Sequence, residues 1–194
     1  KALQKKPSLV HGTSPRYYEM CEGRKESLCP HEKGSDELFL KHQFFFSQSL
    51  GIKNKVLFRT HQVHGNNVYI LKDPNTPTNE VLRQEADAIV THLADCPVII
   101  LTADCVPIII YDPVKYVTGV VHAGRVGTQK SIFNNTVKVL SHEYGSNPKD
   151  LIVGMGPAIR GCCYEVDEKC ALPFIKRSSS NRMLFKKSAQ GKYF

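Results

Sequence analysis

Read for its alternation of apolar and polar positions, the chain divides into a β-rich middle and less regular ends. "SLVHGTS" (8–14) predicts a first strand ending at Gly12, and the polar, irregular stretch 15–34 predicts a loop. Leu38, Phe45, Phe46 and Leu50 recur at near-helical spacing within "SDELFLKHQFFFSQSLG". They predict a helix with Ser35 or Asp36 as N-cap, Gly51 as stop and an aromatic stripe facing the core. "KVLFRTHQVHGNNVYILK" (55–72) reads as a strand, a turn at Gly65-Asn66 and a second strand, followed by the turn formers "DPNTPTN" (73–79). "ADAIVT", "PVIILT", "VPIIIYD" and "YVTGVV" then predict four short β-branched strands. "TQKSIFNNTVKVLSHEYG" (128–145) predicts a second helix capped by Thr128 and closed by Gly145, and "DLIVGMG" (150–156) a further strand entering "GPAIRGCCYEV". Beyond it lies a basic tail of weak periodicity. Antiparallel segments with a few helices indicate the α+β class.

The densest chemistry lies in "TADCVPIIIYDPVKYVTGVVHAG" (102–124). Asp112-Pro113-Val114-Lys115 suits a tight turn with proline second. That turn places Cys105 opposite His122, with Cβ atoms about 4.5–5.5 Å apart. A slip of one residue would send them to opposite faces. His122 opens "HAGRVGT", a small-residue turn before a helix start, where backbone N–H groups approach a ligand and favour an anion. Arg125 adds a guanidinium suited to bidentate phosphate binding. The third candidate is a histidine of "THQVHGNN", where spacing does not choose between His61 and His64. One Cys and two His match a three-ligand catalytic zinc site with an open fourth position. From the hairpin alone, a Cys and a His buried by packing explain the pattern equally well. His11, His31, His42, His92 and His142 read as surface or structural.

Composition narrows the class. With 194 residues and 41% hydrophobic content, the chain suits one globular domain. No apolar run approaches the ~18 residues of a membrane span, and no secretory leader is visible, so no membrane association is expected. The net charge of +8 resides at the ends: Lys1, Lys5 and Lys6 in front, Lys176, Arg177, Arg182, Lys186, Lys187 and Lys192 behind. The interior balances 17 basic against 18 acidic residues, and no base-reading motif accompanies the charge, so solvated tails rather than nucleic-acid binding are expected. The seven cysteines form no CxxC and no even framework, which points to a reducing cytoplasm. Cys162 and Cys163 read as small packing residues.

The ordered set "QVHG", "EADAIVT", "TADCVPI", "YDP", "GVVHAG" and "VGMGPAIRGCCYEV" resembles the YfiH-type laccase-domain family. That family was once called multicopper polyphenol oxidases and is now regarded as purine nucleoside phosphorylases. The match runs from about residue 55 to about 170, with a weaker echo in "SLVHGTS". The resemblance implies an α/β sandwich with mixed, largely antiparallel sheets flanked by helices, similar to the catalytic domain of cytotoxic necrotizing factors. It implies metal ligands at His64, Cys105 and His122, thereby selecting His64 over His61, with zinc as the metal and copper as the alternative. It also implies phosphorolysis of adenosine, inosine and methylthioadenosine, together with adenosine deamination. On this reading residues 1–194 form one laccase-like domain, and the family pattern continues past "GKYF" into a CTxC element and an FFSYRRD motif.

Within that frame Asp104 and Cys105 are the candidate catalytic residues, Asp104 as acid–base group or as orienter of a ligand. Arg59 and Arg125 are the candidate phosphate and substrate contacts. Purine nucleosides and phosphate are the expected partners, and a monomer or homodimer the expected assembly. The family motif HAGWRGT stands here as "HAGRVGT", with Arg125 where the family has Trp and Val126 where it has Arg. "PRYYEMCEGRK" likewise replaces the Gly-rich stretch that follows the family's first strand. Three further readings are a copper-dependent polyphenol oxidase, a Cys–His hydrolase or deamidase, and a metal-binding homologue with impaired catalysis.

Overall fold

In the computed structural model, residues 9–14, 17–19, 25–27, 35–52 and 56–194 are described. A two-stranded antiparallel ribbon, β1 (Tyr17–Glu19) and β2 (Lys25–Ser27), falls where a loop is expected. Residues 9–14 form no strand, against the expectation for "SLVHGTS". α1 spans Ser35–Ser49 and stops at Gly51, whose φ of 73° requires the left-handed region. Its aromatic stripe is not core: Phe45 is exposed, and Phe46 and Leu50 are only half-buried. The side chain of Leu38 lies outside the described residues.

The centre is a five-stranded mixed sheet of order β3-β4-β6-β5-β7, formed by Val68–Leu71, Ala88–Thr91, Val117–Ala123, Val106–Asp112 and Ile152–Met155. β3 and β4 run parallel and every other pairing is antiparallel. Their parallel direction needs a crossover, supplied by residues 72–87 with the short helix α2 (Thr78–Leu82). The expected hairpin over 55–72 is therefore absent. Its first half is an extended segment with isolated bridges, Phe58 to Val98 and His61 to Glu85. "PVIILT" also forms no regular strand and keeps only the Val98 bridge.

Alternating side chains build two apolar layers on one sheet. Ala88, Val90, Ile108, Ile110, Val117, Val121 and Ala123 pack against Ile132 and Leu140 of α4 (Ile132–Tyr144). On the opposite face Ile89 and Leu71 meet Phe58, Val81 and Cys96. The helix expected over 128–145 is divided. α3 (Arg125–Gln129) precedes α4, and the break falls at Ser131, which adopts φ 66°. Gly145 closes α4 in the left-handed conformation, as its sequence position implies.

The hairpin of β5 and β6 is two residues longer in its turn than expected, since Asp112 pairs with Val117 rather than Lys115. Asp112 Oδ1 accepts the amides of Val114 and Lys115 at 2.8 and 3.0 Å, and Tyr116 extends the loop with φ 56°. Pro107, not Cys105, therefore lies opposite His122. Continuing the ladder sets Cys105 opposite Gly124, a diagonal neighbour of His122, so the two candidate ligands still share a face. The end of the chain is structured rather than a loose tail. α5 (Glu168–Arg177), capped by Asp167, leads into a 3₁₀ turn, and Tyr193 is buried and bridges Val166 and Lys187. Cys162 and Cys163, expected as packing residues, are both exposed. Among the described residues, no helix is long and apolar enough to cross a membrane.

Candidate metal centre

His64, Cys105 and His122 arrive from three separate segments: the turn before β3, the entry to β5 and the end of β6. One ligand atom from each lies within 4.8 Å of the others, which makes this a group able to hold a metal ion. The two imidazole rings meet edge to face, centroids 4.7 Å apart. His122 is buried, Cys105 half-buried and His64 exposed, so the centre opens to solvent on the His64 side. His61 is exposed and stands outside the group.

A carboxylate that the sequence reading passed over organises these ligands. Asp87 is fully buried and accepts the amides of Val63, His64 and Gly65 at 3.2, 2.9 and 2.6 Å. Its Oδ1 also lies 2.7 Å from His122 Nδ1. A carboxylate already taking three N–H donors can only accept, so Nδ1 carries the proton and donates it. That tautomer leaves the Nε2 lone pair for ligation, as a carboxylate–histidine–metal arrangement requires. The same three bonds hold His64 at φ 58°, a left-handed conformation that histidine rarely adopts. The sequence signal was present: Asp87 is the one acidic residue in the otherwise apolar "ADAIVT", and such a residue is buried only when its oxygens are satisfied.

Gln62 does related work through a side chain. Its Nε2 donates to the Leu101 carbonyl and its Oε1 accepts the Leu101 amide, both at 2.8 Å. The amide group thus stands in for a strand pairing and docks the His64 segment onto the run that leads to Cys105.

Two glycines make room. A Cβ at Gly124 would meet His64 Cδ2 at 2.8 Å and Cys105 Sγ at 3.2 Å. A Cβ at Gly127 would meet the Gly65 carbonyl at 2.7 Å, so α3 packs directly on the His64 turn. The residues present therefore suit a bound metal: soft and borderline donors, a fixed tautomer and a space no side chain fills.

Burial pushes the Cys105 thiol above its ordinary value; the charges of Asp104 and Asp87 push it further, and the Arg125 backbone N–H opposes them. Arg125 thus joins the centre through its backbone, while its side chain is exposed. Asp104 is exposed beside the ligand cysteine, and its carbonyl accepts the Ile159 amide at 3.0 Å. Arg59 sits half-buried in the extended segment beside Phe58, five residues before His64.

Residues 25–194 match the family model described as multi-copper polyphenol oxidoreductase laccase. The chain belongs to this family. It is 45% identical over 83 residues to the purine nucleoside phosphorylase YlmD of Bacillus subtilis, covering 43% of this chain and 30% of that protein. It is 35% identical over 125 residues to the purine nucleoside phosphorylase SCO2081 of Streptomyces coelicolor, covering 63% of this chain and 49% of that one. The chain thus spans less than half the length of these curated relatives. The crystal structure of the hypothetical protein YfiH of Bacillus licheniformis superposes with a TM-score of 0.72 at 26% identity, covering 79% of this chain and 60% of that one. The YfiH-type resemblance read from the motifs therefore holds, and the mixed sheet flanked by helices is the architecture it implies.

Proposed function

We propose that the chain carries the metal centre of a zinc-dependent purine nucleoside phosphorylase that also deaminates adenosine. The observation that carries this reading is the convergence of His64, Cys105 and His122 on one point, with His122 oriented by a buried carboxylate. The names of the two curated relatives supply the reaction class. Both apolar layers share one sheet, which supports reading residues 1–194 as a single laccase-like unit.

His64, Cys105 and His122 would hold the zinc. When bound, zinc supplies Lewis-acid chemistry, polarising a substrate group and making water nucleophilic near neutral pH. This chain's residues supply the remainder. Asp87 keeps the His122 proton on Nδ1. Arg125, where the family carries Trp, presents an exposed guanidinium to phosphate, and Arg59 is the second candidate contact. Phosphate attacks the ribose anomeric carbon and the glycosidic bond breaks; the proton of the attacking hydrogen phosphate ends on the departing purine nitrogen, with the Asp104 carboxylate as its candidate relay. The products are the free base and ribose 1-phosphate. Only one such ligand group occurs among the described residues, whereas laccase chemistry needs several coppers; this favours zinc over copper.

A second reading rests on the hydrogen bond from His122 to Asp87. Cys105, His122 and Asp87 follow the order of a thiol-hydrolase triad. The raised Cys105 thiol weighs against it, since a nucleophilic cysteine needs a depressed one.

Adenosine incubated with and without phosphate separates the readings. Adenine and ribose 1-phosphate formed only with phosphate are the expected products, and their absence defeats the phosphorylase assignment. Metal analysis of the wild type beside Cys105→Ala is the companion measurement. Equal zinc in both would remove Cys105 from the centre, and several coppers per chain would favour the oxidase.

A further inference from the structure

The loop that leaves β7 carries two thiols that the metal centre does not use. Cys163 and Tyr164 both donate their amides to the Arg160 carbonyl, at 2.9 and 3.0 Å, which closes a tight turn. Adjacent side chains in a strand point to opposite faces. This turn instead brings Cys162 Sγ and Cys163 Sγ to 3.5 Å, with both residues exposed. The other described cysteines differ: Cys96 is buried, Cys105 belongs to the candidate centre, and Cys170 is half-buried on α5.

We propose that Cys162 and Cys163 form a redox modification site, at which a hydroperoxide converts the exposed thiol pair into a vicinal disulfide and a thiol reductant restores it. One of the two sulfurs attacks the peroxide O–O bond, taking one oxygen as sulfenic acid and releasing an alcohol or water. The other sulfur then displaces that oxygen as water and forms the S–S bond. Two thiols lose two protons and two electrons, and the peroxide is reduced to one alcohol and one water. The 3.5 Å separation of the two sulfurs lets whichever is oxidised first be resolved by the other. A disulfide sulfur pair stands about 2.05 Å apart, so closure draws the two atoms together by roughly 1.5 Å. Closure makes an eight-membered ring through the Cys162–Cys163 peptide, so that peptide and the turn around it must both adjust.

The cleavage pattern of the chain suits the test. Trypsin cutting after Arg160 and Lys169 releases Gly161–Lys169, which contains these two cysteines and no other. The reduced protein is treated with one equivalent of hydrogen peroxide, denatured with excess maleimide and digested. The expected peptide is unlabelled, about two mass units lighter than the reduced form, and regains both thiols with dithiothreitol. Cys163→Ser should instead accumulate a dimedone-reactive sulfenic acid at Cys162. Phenylarsine oxide, which condenses with two adjacent thiols and releases water, should block both from maleimide in the native protein. The proposal is overturned if the peptide keeps both thiols while Cys105 or Cys170 oxidises, or if the disulfide joins two chains. It fails equally if the peptide gains oxygen without ever forming the lighter species.

Discussion

Asp87 bears on two ligands at once. Its carboxylate is fully buried and joins the backbone of the His64 turn to the His122 ring, so removing its charge loosens both. Asp87→Asn keeps the shape but cannot accept every one of these donors. The expected result is metal affinity weakened by about 10–100-fold in a competition titration. Asp87→Ala, which leaves the partners unpaired, should also lose about 3–5 kcal/mol of stability in denaturant. Gly124→Ala should behave differently. Its Cβ would press on His64 and Cys105, yet His64 is exposed and can swing outward. Metal affinity should fall at least as steeply as in Asp87→Asn, while the unfolding midpoint stays close to wild type. A large stability loss would mean that the His64 ring is held more firmly than its exposure implies.

At the scale of elements, the β5–β6 hairpin sets the accuracy of the centre, and Asp112 sets the hairpin. Burial alone pushes the Asp112 carboxyl up. The Ser146 hydroxyl, the Lys115 and Val114 amides and the Lys115 charge outweigh burial and hold it below the usual range. The two amide bonds to Oδ1 are the firm ones, because Oδ2 and the Ser146 hydroxyl lack a partner at normal hydrogen-bond geometry. A carboxyl depressed in the folded state adds stability above its unfolded value, about 3.9, and loses it as pH falls through the folded value. Asp112→Ala should therefore cost about 1.5–3 kcal/mol near neutrality. That gap should close in urea titrations repeated below about pH 4. The hairpin also marks how far sequence reasoning reached. β-branched runs and a proline turn located both strands, and the shared face of Cys105 and His122 was correct. The facing partner was wrong because Tyr116 takes a left-handed conformation, which nothing in its residue type announces.

Over the whole molecule, what was legible followed from local periodicity: the α+β class, the central strands, α4 and the closing Gly145. Strand partnership was not local. The parallel pairing of β3 with β4 is decided by the crossover through α2, and "PVIILT" gives up regular pairing although its residues favour strands. Asp87 was overlooked for a related reason, since the groups that satisfy it lie more than 20 positions away along the chain. Because the three ligands come from separate segments, zinc should bind the folded chain far better than the unfolded one. Zinc at a hundred times its dissociation constant should then add about 2.7 kcal/mol, read as a higher melting temperature that a chelator reverses. An unchanged midpoint with zinc bound would mean that the unfolded chain holds the ion equally well.

The distribution of those segments has a kinetic consequence. The β5–β6 hairpin can form from neighbours, whereas His64 is separated from it along the chain by β3, α2 and β4. Pairings across long separations are slow because they close large loops before any contact is gained. In stopped-flow refolding, competence to capture zinc should therefore appear with the slowest structural phase, making the centre a reporter of completed topology.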